Sequence, residues 1–114
     1  MNEELSDVPD ITATELAVRL DAGDVPVLLD VREHYEAEIA DLPEHGQVRI
    51  PTGEFAELLE ELDRHGEPVI YCTIGSRSAW ATRLLPQSWC DRVFDLLGSI
   101  LAWREEVDPS LMAY

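Results

Sequence analysis

Two short runs restrict what this chain can fold into. Val27-Leu28-Leu29-Asp30-Val31 and Val69-Ile70-Tyr71-Cys72 are almost wholly apolar, and each follows Gly- and Pro-containing turn residues. A strand with one wet face alternates in polarity, whereas a strand covered on both faces reads as a continuous apolar run, the pattern of a parallel sheet between helices. Helical periodicity fills the intervals. Thr12-Ala13-Thr14-Glu15 fits a capping box ahead of an apolar stripe at Leu16, Ala17 and Leu20, with Gly23 as a stop. The polar stretch from Arg32 to Ile39 predicts a short helix, Asp41 to Arg49 a loop, and Val48-Arg49-Ile50 a brief strand before Pro51. Phe55, Leu58, Leu59 and Leu62 recur at helical spacing behind Thr52 as a cap, and His65-Gly66 closes that helix. The pairs Trp80/Leu84 and Ala81/Leu85 predict another helix that stops at Pro86. Val93-Phe94-Asp95-Leu96 reads as a further strand, and Ile100, Trp103 and Val107 as one face of a last helix. The expected class is α/β with a mostly parallel central sheet. It should form one domain over 1–114, with 1–10 loosely held and 109–114 a tail.

Charge narrows the partners. The net charge is −16, from 24 acidic residues against 8 arginines and no lysine. Such a field repels nucleic acid and anionic membrane, and both are excluded as expected partners. No apolar stretch approaches the ~20 residues that span a bilayer. The opening Met1-Asn2-Glu3-Glu4 lacks the apolar run of a signal peptide, so a cytoplasmic location is expected. Two readings of the acidic, lysine-free composition stay open: a solvated surface from a biased genome, or adaptation to a salt-rich cytoplasm. Cys72 and Cys90 make neither a metal spacing nor a CxxC pair, and both are expected to be reduced. No metal and no cofactor is implied.

The chemistry concentrates after the second apolar run. In open α/β sheets ligands bind beyond the carboxyl ends of strands. Cys72 ends a strand there, and Thr73-Ile74-Gly75-Ser76-Arg77-Ser78 leads through an uncharged turn into a helix start. Backbone N–H groups at such a turn, together with the positive end of a helix dipole, favour an anion. A free thiol is only a few per cent ionised at neutral pH, so a nucleophilic cysteine needs such surroundings. The competing reading is a buried strand cysteine acting as a small hydrophobe. Arg77 carries a charge of the wrong sign for a helix start, which demands a partner: Asp30, Glu33, loop carbonyls or an anionic substrate. Ser78 reads as a helix-start hydroxyl and then as a donor to sulfur. None of His34, His45 and His65 lies near Cys72 in sequence, and nothing favours a Cys–His pair. A thiol activated by its loop alone suits a soft electrophile such as sulfane sulfur. Cys90 reads as a partly buried packing residue, with a resolving or persulfide-accepting role as the alternative, and Trp80, Trp89 and Trp103 read as packing residues.

These stretches together resemble a single-domain rhodanese (thiosulfate sulfurtransferase-like) domain over nearly the whole chain. The resemblance rests on Leu29-Asp30-Val31-Arg32-Glu33, on Ile50-Pro51, on Cys72 to Ser78, and on Gly98-Ser99-Ile100-Leu101-Ala102-Trp103. The ending from Ala102 through Glu106-Val107-Asp108-Pro109-Ser110-Leu111 to Tyr114 is especially similar to rhodanese domains of ThiF/E1-like adenylyltransferases. The resemblance implies a rhodanese-like three-layer α/β/α fold and a mechanism. Cys72 would take sulfane sulfur from thiosulfate or a persulfide donor and hold the persulfide on the N–H groups of residues 73 to 77. It would then pass sulfur to a thiol, a cyanide-like acceptor or a sulfur-carrier protein, with Ser78, Asp30 and Arg32 in support. The six residues from Cys72 to Arg77 match sulfurtransferases; related phosphatases and arsenate reductases have one more. A partner-dependent relay or a regulatory module with little turnover alone is the alternative. Gly98-Ser99 replaces the family's usual Gly-Gly, a change expected to affect only a turn.

Overall fold

The computed structural model describes residues 9–54, 68–82 and 93–112. The helix expected behind Thr52, the His65-Gly66 stop, the end of the helix at Pro86, and Trp89-Cys90 lie outside these residues. Five parallel strands form one sheet in the order β1-β5-β4-β2-β3: β1 Asp10–Ile11, β2 Leu28–Asp30, β3 Val48–Arg49, β4 Val69–Tyr71 and β5 Phe94–Leu96. The α-helices are α1 Ala13–Asp21, α2 Ser76–Thr82 and α3 Ser99–Glu106.

Local chemistry sets α1. Thr12 is its N-cap, the Glu15 N–H donates to Thr12 Oγ1 at 3.0 Å, and the Thr12 N–H donates to Glu15 Oε1 at 2.9 Å. The capping box is reciprocal, as its spacing predicts. The stretch after Arg32 is only a 3₁₀ turn, His34–Glu38. Edge strand β1 departs from the expectation of a loose start, since the Asp95 N–H donates to Pro9 O and the Leu97 N–H to Ile11 O. A two-residue strand has no periodicity to read; it exists only through pairing with β5.

Period-two alternation divides the sheet into two buried faces. Leu28, Val69, Tyr71 and Leu96 pack with Ile11, Leu16, Ile100 and Trp103, placing α1 and α3 on one side. Leu29, Ile70 and Asp95 are one residue out of phase, and Asp95 meets Ser78 of α2 on the other side. Helices therefore cover both faces, which is why β2 and β4 are apolar throughout.

That second face carries one uncompensated group. Among the described residues, Asp95 Oδ1 is buried without a hydrogen-bond partner. Burial pushes its carboxyl up to about 6 from 3.8; the hydrogen bond from Ser78 works against this and the charge of Asp10 adds to it. Between those values the native chain holds a proton that the unfolded chain has lost, so stability falls as pH rises toward and through 6. Asp95→Asn, neutral at every pH, should therefore melt higher than the parent at about pH 7.5, and the advantage should vanish near about pH 4. A melting difference equal at both pH values would contradict this assignment.

Candidate functional site

Cys72 follows the last residue of β4 and is fully buried. Its sulfur is not an apolar contact alone. The Gly75 N–H donates to Sγ at 3.1 Å and the Ser78 N–H at 3.4 Å, with Ser78 Oγ at 3.8 Å and Ser99 Oγ at 3.9 Å. Gly75 belongs to the expected 73–77 cradle, and the Ser78 N–H adds a donor one residue beyond it. The turn needs Gly75 because its φ of 111° is one that side-chain-bearing residues rarely adopt. Helix α2 begins at Ser76, so Ser78 sits within its first turn rather than opening it. The Ser78 hydroxyl shares its one proton between Asp95 and Gly75 O, the latter 3.1 Å away beneath the sulfur. From the other side, the start of α3 holds the same loop: the Ile100 N–H donates to Cys72 O at 3.2 Å and the Leu101 N–H to Thr73 O at 2.9 Å.

Of the partners left open for Arg77, the structure shows a carboxylate, and it is Glu36, which was not among those named from sequence. The guanidinium forks onto Glu36 Oε2 at 2.8 Å and Oε1 at 2.9 Å, and donates to Thr73 Oγ1 at 2.8 Å. Glu36 is buried, and its carboxylate also accepts from the Thr73 hydroxyl and the Glu33 N–H. The bidentate geometry fixes the loop from outside and matches the guanidinium charge with a carboxylate. Thr73, Ile74 and Ser76 add no charge, so the described residues of the mouth offer no excess positive charge to a dianion.

Asp30 and Arg32 are buried and do not reach the sulfur among the described contacts. Asp30 faces Tyr71 across β2 and β4, on the α1/α3 side, whereas Cys72 is one residue out of phase. Arg32 Nε and Nη2 bind the two Asp30 oxygens at 2.9 and 3.0 Å. Arg32 Nη1 donates to Ala40 O at 2.8 Å, and Nη2 to Asp41 Oδ1 at 3.2 Å. Arg49 bridges Asp30 and Asp41 at 2.6 Å each, and the Tyr71 hydroxyl donates to Asp41 at 2.7 Å. Burial first, then the nearby Asp30 and Asp41 charges, push the Tyr71 phenol well up, so it stays a donor. Two carboxylates against two guanidiniums leave this cluster without net charge. Its link to the loop runs through Glu36, whose carbonyl accepts from Arg32 Nη1 at 3.4 Å.

The mouth above the loop is apolar at its edges. A cavity of about 410 Å³ is lined by Tyr35, Glu36, Thr73, Ile74, Ser76 and Arg77. A second, of about 300 Å³, lies against Thr52, Gly53 and Trp80 on the far side of Ser76 and Arg77. Tyr35, Ile74 and Trp80 are 64%, 61% and 46% exposed. Trp80 is thus a rim residue rather than the packing residue expected; Trp103, by contrast, is buried. Glu36 was not singled out by sequence reasoning, and Ser99 only as a change of turn. Nothing in the polar run His34–Glu38 distinguishes Glu36, whereas the serine after Gly98 was the signal for Ser99.

The chain is similar in sequence and fold to known proteins. Over 102 residues the chain is 31% identical to the candidate sulfur carrier protein YrkF of Bacillus subtilis, covering 90% of this chain and 54% of YrkF. It is 30% identical over 111 residues to the adenylyltransferase and sulfurtransferase MOCS3-2 of Zea mays, covering 91% of this chain and 23% of that protein. The chain thus spans about half of one relative and about a quarter of the other. Among solved structures, a rhodanese-related protein of Thermoplasma volcanium superposes with a TM-score of 0.75 at 30% identity, covering 87% of this chain and 93% of that one. The human single-domain sulfurtransferase TSTD1 superposes with a TM-score of 0.72 at 25% identity, covering 87% and 97%. The rhodanese-like domain model matches residues 12–106, and by that match the chain belongs to the rhodanese-like domain family.

Proposed function

We propose that this chain is a sulfurtransferase that moves sulfane sulfur through a persulfide on Cys72. The observation that carries the reading is the Cys72 sulfur held at the end of β4 by the Gly75 and Ser78 N–H groups. A core cysteine acting as a hydrophobe has no such donors aimed at it. The thiolate attacks the outer sulfur of a persulfide donor, a new S–S bond forms at Sγ, and the donor's S–S bond breaks with its electron pair leaving on the donor thiolate. An acceptor thiolate then attacks the outer sulfur and releases the Cys72 thiolate. The exchange is electron-balanced and needs no metal or cofactor. Asp30 and Arg32 act at a distance, by fixing the start of the 3₁₀ turn that carries Glu36.

The donor class follows from charge. Arg77 is neutralised by Glu36, the protein carries −16, and Tyr35, Ile74 and Trp80 edge the mouth. A thiosulfate dianion is repelled and gains no excess cation from the described residues, whereas a low-molecular-weight or protein persulfide brings a carbon skeleton that apolar edges accept. The same neutralised arginine and the six-residue loop speak against a phosphate or arsenate oxyanion.

Sulfur transfer to a thiol acceptor, with donor varied, tests this reading. At low ionic strength kcat/KM for an alkyl persulfide should exceed that for thiosulfate by about tenfold or more, a difference of ~1.4 kcal/mol in barrier. The gap should narrow near 1 M salt, where screening acts within ~3 Å. Thiosulfate turnover equal to persulfide turnover at low salt would overturn the donor assignment.

A further inference from the structure

Ser99 is the one non-glycine residue with positive φ among the described residues, at 50°, and it is fully buried. Gly98 before it, at φ 74°, is required: a Cβ there would lie 2.7 Å from the Ala102 Cβ. At Ser99 the backbone conformation also favours glycine, yet a side chain is present at a steric cost. Backbone strain in a buried turn beside a reactive group points to what the strained side chain does. Here the hydroxyl accepts from the Cys72 N–H at 2.9 Å, donates to Leu96 O at 3.2 Å, and has Cys72 Sγ within 3.9 Å.

A serine hydroxyl has one proton and two acceptor sites. The Cys72 N–H occupies an acceptor site in every state, which leaves a single proton with two places to go. A neutral thiol or thioether-like sulfur is a weak acceptor, and the proton then belongs on Leu96 O. A thiolate is a strong one, because hydrogen bonds to an ionised acceptor are roughly twice as strong as neutral ones. Rotation about one side-chain bond turns the proton from the carbonyl to the sulfur without moving the backbone.

We propose that Ser99 is a positioning residue for sulfur transfer, a buried hydroxyl that fixes the Cys72 backbone and swings its proton from Leu96 O to Sγ whenever the sulfur is anionic. It would act alongside the Gly75 and Ser78 N–H groups, from the side of the sulfur that faces α3. This rests on the reading of Cys72 as a sulfur-transferring nucleophile, but its test does not need sulfur transfer.

The test is the pH profile of Cys72 alkylation by iodoacetamide, followed on the Cys72 peptide by mass spectrometry. Ser99→Ala keeps the strained backbone without the hydroxyl; Ser99→Gly removes the hydroxyl and relieves the strain, so it guards against a folding failure. Both should lower the alkylation rate at neutral pH by about tenfold, moving the profile up by about one pH unit while the limiting rate at high pH stays as in the parent. In persulfide turnover the same variants should lose kcat with little change in KM. A Ser99→Gly protein that is folded and has the parental alkylation profile would reduce Ser99 to a turn residue and overturn the proposal. If the profile shifts but Cys72 accepts no sulfur, the sulfurtransferase reading fails while the role of Ser99 stands. If sulfur loads normally and the profile is parental, the reverse holds.

Discussion

Arg32→Ala is expected to be the most destabilising single change among the described residues, by ~3–5 kcal/mol. Arg32 is fully buried, and its loss leaves the Asp30 carboxylate with Arg49 as its remaining cation and the residue-32 N–H as a neutral donor. It also removes the donors to Ala40 O and Glu36 O, which hold the turn under the loop. The cation stacked 5.6 Å from the Tyr71 ring centre goes as well. Breaking one side of a buried pair is costly because the remaining charge stays desolvated, not because the pair was a large net gain over apolar packing. Against a typical 5–15 kcal/mol for a domain, this is a large fraction of the total. At about 4 °C per kcal/mol it corresponds to a fall in melting temperature of ~12–20 °C. Arg32→Lys keeps the charge but not the fork onto Asp30, and should recover only part of the loss. A fall of under ~1 kcal/mol for Arg32→Ala would show that the cluster repacks around Arg49. Below its melting temperature the variant should still bear an intact Cys72 sulfur site, because Arg32 is linked to the loop at one remove, through Glu36.

How much of this was readable beforehand depends on the range of each interaction. The α1 capping box is satisfied within four residues, so spacing alone located it. The covered sheet was legible because burial on both faces leaves an apolar run. The Cys72 turn was legible because a strand end, a glycine and a helix start are adjacent in sequence. What failed to show were pairings made across the fold. Arg77 meets Glu36 from 41 residues away, and Cys72 meets Ser99 from 27 residues away. The partner of Arg77 was sought in Asp30 and Glu33, the nearer of which lies only three residues before Glu36. Both share the strand-end rim, but Asp30 belongs to the α1/α3 face and Glu33 lies at the start of the turn. Trp80 misled because helical spacing with Leu84 suggested an inward face, whereas that position borders the mouth. Ser99 was treated as a neutral change of turn; only its φ and its three hydrogen-bond distances make it part of the site.

The second large effect is on chemistry, and it bears on the central claim. Cys72→Ser replaces the thiolate by a hydroxyl of far higher pKa in the same cradle, so the fold should persist while sulfur uptake is lost altogether. Cys72 is the one cysteine among the described residues, and the Gly75 and Ser78 N–H groups are aimed at its sulfur, so no other described residue can take over. The most direct measurement is intact mass after incubation with an alkyl persulfide. The parent and Cys90→Ser should each gain one sulfur, about 32 Da, reversed by a thiol acceptor, and Cys72→Ser should gain nothing. A gain of that mass in Cys72→Ser, or its loss in Cys90→Ser alone, would contradict the assignment of Cys72 as the sulfur-bearing residue.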